Sequence, residues 1–275
     1  MKKKLIIIIA AIITISLTGC GTESNNTRKS TNQSINQESS VNDTNNDAII
    51  KVIKNKTKAV NDGNINDYLS NFVKDTDTYN IEKEDKKDYF YNFKVKQEIS
   101  DPQILNSSNS EAQVQYVVTT SKIKGPGFLD SKALYVDNFK RVGNDWKINN
   151  QDILKVEFKD DIYETIYTNI QALNEKDINK YMGTIDQSDN EAYNKFKDEQ
   201  LDMFDKYDLH YNLEEADKYK DGSDKDTAVG FIQTILKRDN SDFKNNKTTG
   251  TIHLKKVNNQ WKIFKIDIQK KEDIK

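Results

Sequence analysis

The chain has 275 residues, room for two domains of ordinary size, with 42 Lys and Arg against 44 Asp and Glu and a formal net charge of -2. A mildly acidic chain without a basic stripe lacks the phosphate-neutralising surface on which nucleic-acid affinity rests, so no nucleic-acid partner is expected. One Cys and two His exclude a disulfide framework, cysteine-rich zinc sites and most His-centred catalysis; no cofactor and no metal is expected.

Lys2, Lys3 and Lys4 form a basic start, followed by an apolar run from Leu5 to Leu17 broken only by Thr14 and Ser16. About thirteen helical residues span roughly 20 Å, short of a hydrocarbon core of about 30 Å, which points to a cleaved signal peptide over residues 1–19. Its end, Leu17-Thr18-Gly19-Cys20, resembles the lipobox of bacterial lipoproteins. The resemblance implies cleavage before Cys20, a diacylglyceryl group on its sulfur, palmitate among the acyl chains, and a protein held at the extracytoplasmic face of the cell membrane. The only Cys of the chain is then an anchor. Residues 20–46 are mostly Asn, Ser, Thr and Gln, too polar to offset their ordering entropy, and read as a flexible tether. Abundant Lys, Asn, Ile and Tyr, with the lipobox, point to a low-GC Gram-positive source.

Beyond the tether the sequence repeats itself. Ala59-Val60-Asn61-Asp62-Gly63-Asn64-Ile65-Asn66-Asp67-Tyr68-Leu69 recurs as Ala172-Leu173-Asn174-Glu175-Lys176-Asp177-Ile178-Asn179-Lys180-Tyr181-Met182, identical at five of eleven positions. Val114, Tyr116, Val117 and Thr119 match Val229, Phe231, Ile232 and Thr234, and Trp146-Lys147-Ile148 matches Trp261-Lys262-Ile263. Three blocks in one order at nearly one spacing indicate two tandem domains, 47–153 and 154–269, with a charged tail at 270–275.

Each domain opens on a helical period: Ile49, Ile53, Thr57 and Val60, then Ile162, Ile166, Ile170 and Leu173. Asp47 and Asp160 are the candidate N-caps, and the helices break near Asp62-Gly63 and Asn174. A shorter helix is expected at 85–93 and at 190–207. Strands follow at 114–118, 133–142 and 145–153, then at 227–237, 251–257 and 261–268, with tight turns at Gly143-Asn144 and Asn258-Asn259. The fold class is α+β: two tandem domains, each a long helix and a short helix followed by a strand meander. The helix ending in Ala-x-Asn-Asp-Gly-Asn-Ile-x-x-Tyr-Leu, followed by strands that close on turn-Trp-Lys-Ile, resembles the nuclear transport factor two-like superfamily. That resemblance implies cone-like domains, each a curved antiparallel sheet wrapped around the long helix with a pocket at the wide end of the cone. It leaves function open, since some members are enzymes with an Asp or His in that pocket.

Candidate acid-base groups are few. His253 alternates with Ile252 and Leu254 on a strand, and its first-copy counterpart is Asn138; His210 lies in a charged stretch. Both are expected at the surface or the pocket rim. Asp62 and Glu175 recur after the long helix and are expected to bond nearby backbone N–H groups; Asp152 and Asp267 recur at a strand end and read as structural. Asp221-Gly222-Ser223-Asp224-Lys225-Asp226 resembles a calcium loop only superficially and reads as a hairpin turn. The mixed run from Glu82 to Asp88 reads as a solvated helix face. Trp146 and Trp261 are expected in the core. Tyr89, Phe90, Tyr91 and Phe93 are denser in aromatics than a short helix needs and are the candidates for a pocket or an interface. The expectation for function is a non-enzymatic binding or scaffolding role in the cell envelope, with an envelope protein or cell-wall component as partner. The alternatives are a small-molecule or wall-fragment binder using the cone pockets and, less favoured, a hydrolase or isomerase built on a buried Asp or His.

Overall fold

The computed structural model describes residues 35–219 and 222–274. The basic start, the apolar run, Leu17, Thr18, Gly19, Cys20 and the tether up to residue 34 lie outside the described residues, as does Asp221. Two domains with the same element order follow one another. In the first, α1 (Ile35–Asp62), α2 (Ile65–Leu69) and α3 (Asp77–Asn92) precede β1 (Lys94–Ser107), β2 (Glu111–Lys124), β3 (Ser131–Val142) and β4 (Asp145–Phe158). In the second, α4 (Ile162–Glu175), α5 (Ile178–Gly183) and α6 (Asn190–Lys206) precede β5 (Leu209–Lys218), β6 (Asp226–Lys237), β7 (Asn246–Val257) and β8 (Gln260–Asp273). Each set of four strands forms one antiparallel sheet in sequential order. Register shifts in both outer strand pairs of each sheet bend it around the helices, since a bulge adds local twist and curvature. The two tandem α+β domains of the sequence reading are therefore present.

The long helices bury the stripe their period marks: Ile49, Ile53, Thr57 and Val60 in α1, and Ile162, Ile166 and Leu173 in α4, with Ile170 half-buried. Their repeated asparagine has the same task in both domains. Asn61 donates to Gln97 O at 2.9 Å and accepts from Gln97 N at 2.6 Å; Asn174 makes the same pair with Tyr211 at 2.9 and 2.7 Å. A side-chain amide thus stands in for a neighbouring strand and fixes the first strand of each sheet to the helix end. After the short helix, each chain bonds the Trp-bearing strand through Asn71, Ile148 and Val73, or Thr184, Ile263 and Asp186, at 2.8 Å. Trp146 and Trp261 are buried beside these contacts, in the core as expected.

Several expectations change. Helix α1 begins at Ile35, so residues 35–46 continue the helix and Asp47 lies within it. Elongating an existing helix adds one hydrogen bond per residue without a new nucleation cost, so the packed part can carry polar turns upstream. Helix α4 is entered from Asp161, while Asp160 accepts from Ile162 N at 3.2 Å. Strands β1 and β5 were not expected. The first is an edge strand interrupted at Asp101-Pro102, where Asp101 has φ 52° and the register shifts, so its alternation is broken. The supposed tail belongs to β8 as far as Asp273. Asp62 pairs with Lys58, and Glu175 with Lys180 at 3.0 Å, rather than with backbone N–H groups; the capping is done by Asn64 and Asp177. The Ser223 turn closes a hairpin through Asp226, as Ser108 does with Glu111 in the first domain.

Candidate functional site

Position 56 lies on the buried stripe of α1, one helical turn after Ile53, and carries a lysine. Its ammonium reaches the sheet interior, donating to the Tyr116 hydroxyl at 2.6 Å and to Asp137 Oδ2 at 3.2 Å. The Asp137 side chain is fully buried. Tyr116 donates to the same carboxylate at 2.6 Å, and Gln151 donates to Asp137 Oδ1 at 2.9 Å. The rings of Tyr116 and Tyr135 stack at 5.6 Å, and both lie within 5.3 Å of the Lys56 nitrogen. Such a pair survives desolvation because its charges neutralise each other and its lone pairs are occupied. Beside it, the Tyr68 hydroxyl donates to Glu82 at 2.5 Å, which turns Glu82 inward from the run expected to be solvated. Burial first, and the neighbouring carboxylates second, push the Tyr116 and Tyr68 phenols well above their ordinary range; burial does the same to Tyr135. All three are hydroxyl donors at neutral pH.

This network forms the floor of a cleft of about 720 Å³. Lys56, Tyr68, Tyr135 and Gln151 face it from the floor, and the walls of the first cone include Tyr89, Phe93, Val118 and Phe158. The second domain completes it with α4 (Tyr167, Ile170, Gln171, Asn174), the start of β5 and the end of β6. What seats the second domain there is the loop between β2 and β3. Gly127 lies so close to the Tyr163 ring that a Cβ would come within 2.1 Å of it, so only glycine permits this approach. Phe128 packs into both hydrophobic cores and meets Tyr167 at 5.3 Å, while Phe158 meets the same ring at 5.4 Å. Lys122–Asp217 at 2.5 Å holds the flank between the domains, and within the second domain Lys218 N donates to the Tyr163 hydroxyl at 3.2 Å and fixes that ring.

His210 sits at the mouth and bridges the domains. Its Nδ1 lies 2.6 Å from Arg238 Nη2 and its Nε2 3.1 Å from Asp88 Oδ2. A guanidinium only donates, so Nδ1 accepts and Nε2–H donates to Asp88: the ring is neutral with the proton on Nε2. Burial and then the Arg238 charge depress its pKa, against the opposing pull of Asp88.

Of the aromatic candidates, Tyr89 and Phe93 line the cleft, Phe90 packs on Tyr68 at 5.5 Å, and Tyr91 is 87% exposed. His253 bonds Asp267 at 3.0 Å on the second sheet and is not among the residues lining the cleft. Asp152 accepts from Asn150 at 3.0 Å on the exposed part of β4. The buried carboxylate that an acid-base enzyme would need is present in Asp137, a residue that sequence reasoning missed. Both its oxygens are engaged, however, and Lys56 stands between it and the cleft. Among the described residues, no group of three or more His, Cys, Asp or Glu is placed to hold a metal, and no helix is long and apolar enough to cross a membrane.

Among solved structures, a Novosphingobium aromaticivorans protein provisionally assigned as a scytalone dehydratase is 16% identical, with TM-score 0.38 over 44% of this chain and 92% of its own. An NTF-2 like protein of unknown function from Shewanella oneidensis is 17% identical, with TM-score 0.32 over 39% and 97%. An Ntf2 like protein involved in plasmid conjugation is 7% identical, with TM-score 0.28 over 70% and 90%. No curated protein matches the chain in sequence. The family model described as the C-terminal domain of the anti-sigma-I factor RsgI9 matches twice, over residues 51–159 and 164–274. The chain belongs to that family and carries its domain in two successive copies, the first holding the polar floor and the second closing the cleft above it.

Proposed function

We propose that this protein is a lipid-anchored, extracytoplasmic binding protein of a Gram-positive cell envelope, whose first domain holds a small ligand and whose second domain is the outer wall of the site. The observation that carries the reading is the shared cleft. Its volume of about 720 Å³ is ordinary for a small-molecule site, and it combines aromatic walls with a few convergent polar groups. The role is non-enzymatic: the buried Asp137 carboxylate at the floor is bonded at both oxygens, and among the described residues no nucleophile paired with a base lines the cleft. The family takes its name from an anti-sigma-I factor, which favours recognition, in which occupancy of a site is read out elsewhere. The anchor is Cys20, within the motif Leu17-Thr18-Gly19-Cys20.

Crosslinking of the intact protein in cells, followed by mass spectrometry, tests this. A retained small molecule mapped to the cleft is the expected result. A stoichiometric envelope protein with an empty cleft would replace this reading with a scaffold. In the same cells, Cys20→Ala is expected to move the protein out of the membrane fraction; if it stays there, the anchor assignment fails.

A further inference from the structure

Resting on that reading, we propose that the cleft selects an uncharged molecule with an aromatic or hydrocarbon body and one acceptor oxygen, such as a carbonyl. Charge is the first argument. At the floor the Lys56 ammonium is neutralised by Asp137, with the Glu82 carboxylate bonded to Tyr68 beside them, and on the walls and mouth Glu84, Asp85 and Asp88 stand among Lys86, Lys237 and Arg238. His210 adds none in its neutral form. A ligand that carries net charge down to the floor meets no unpaired opposite charge there: an anion lies beside Asp137 and Glu82, a cation beside Lys56, so it keeps its desolvation cost.

Hydrogen-bond bookkeeping gives the second argument. An ammonium has three N–H groups, and Tyr116 and Asp137 take two of those of Lys56. The Tyr135 hydroxyl, also at the floor, has no protein partner among the described residues, and its raised pKa keeps it a donor. The Lys56 N–H and the Tyr135 hydroxyl left over at the floor are donors whose complement is an acceptor. The Gln151 amide oxygen beside them, whose NH2 is turned to Asp137, is an acceptor that takes no part in this match. A carboxylate would satisfy the two donors, but it would place a second negative charge beside Asp137. A carbonyl or ether oxygen satisfies them without that cost. The rest of the contact surface, Tyr89, Phe93, Phe128, Phe158 and Tyr167, suits flat or apolar groups.

The test uses the full lipidated chain in nanodiscs, with empty nanodiscs as blank, and two matched probes. One is 6-acetyl-2-naphthol with a 13C-labelled carbonyl; the other is 6-hydroxy-2-naphthoate. The ketone is expected to bind at least about tenfold more tightly, with its carbonyl resonance displaced toward the hydrogen-bonded position. Tyr135→Phe should weaken it about fivefold and reverse part of that displacement. Because Lys56→Met alone leaves Asp137 unpaired, the second variant is K56N/D137I, which writes the second domain's residues at both places. If the carboxylate binds as well or better and both variants still weaken it, the ligand class is wrong and the cleft remains the site. Binding indifferent to both variants, or no binding of either probe, overturns the ligand class and the cleft reading together.

Discussion

Where α1 carries Lys56, α4 carries Asn169; where the first sheet has Tyr116, Asp137 and Gln151, the second has Phe231, Ile252 and Ile266 at the same register. Tyr135, stacked on Tyr116, is replaced by Gly250, and the Phe231 ring lies over that glycine, 2.8 Å from where a Cβ would be. Asn169 instead bonds Thr184 at 2.8 Å. One backbone plan has thus been filled in two ways, with an ion pair and phenols in one copy and hydrocarbon in the other. The second copy demonstrates that the plan folds without the polar network. A buried ion pair often contributes no more stability than hydrocarbon of similar volume, so stability alone does not account for its presence in the cleft-bearing copy.

The comparison is tested hardest where the copies are alike. Trp146→Ala and Trp261→Ala should each cost about 3–5 kcal/mol in their own domain. Far-UV circular dichroism in a urea titration reads the loss, while the one Trp left in each variant, out of two in the chain, reports the unmutated domain. A loss below about 1 kcal/mol in either would show that Trp is not an equivalent core element in both. Next comes the difference between the copies. Lys56→Asn should destabilise the first domain by about 3–5 kcal/mol by leaving Asp137 charged and unpaired, while K56N/D137I should recover most of that loss, with Asp137→Ile alone completing the cycle. Additive behaviour in this cycle would mean the pair is not coupled.

Smaller effects are expected at the amide clamps. Asn174→Ala should cost about 1–2 kcal/mol through the part-buried backbone groups of Tyr211 left unpaired, and Asn61→Ala less, because its bonds to Gln97 are exposed and water replaces them. Hydrogen exchange at those two amides is the check. The smallest effect belongs to His210. Its folded pKa is depressed, so between that value and the unfolded value of about 6.5 the unfolded chain binds more protons, and stability falls as pH drops through the window. Resistance of the wild type to urea should fall from pH 7 to pH 5 relative to His210→Asn. An equal slope in both would remove His210 as the cause.

The features legible in the sequence were those written as repeats of apolar period. The long helices, three strands per sheet and the Trp positions follow from spacing alone. Strand β5 was legible too, since Leu209, Tyr211 and Leu213 alternate, but its charged neighbours drew attention to His210 instead. Strand β1 was not, because Pro102 and the register shift break its pattern. The floor left a signal that only the comparison of copies brings out. Lys56 continues the stripe Ile49, Ile53 and Val60, and Asp137 shares its strand face with Ala133 and Phe139, opposite Ile252 in the other copy. A charge on an apolar face in one repeat, answered by hydrocarbon in the next, marks a place where packing rules have been set aside. Which charge meets which is a long-range fact, 81 residues apart for Lys56 and Asp137, and no local pattern contains it.

Phe128 has a thermodynamic consequence of its own. A side chain shared by two hydrophobic cores makes each domain part of the other's folded environment, so the pair melts as linked units rather than as beads on a string. A molecule captured at the Lys56 floor, beneath the surface that Phe128 and Tyr167 join, should therefore raise the unfolding temperature of the second domain without touching its core.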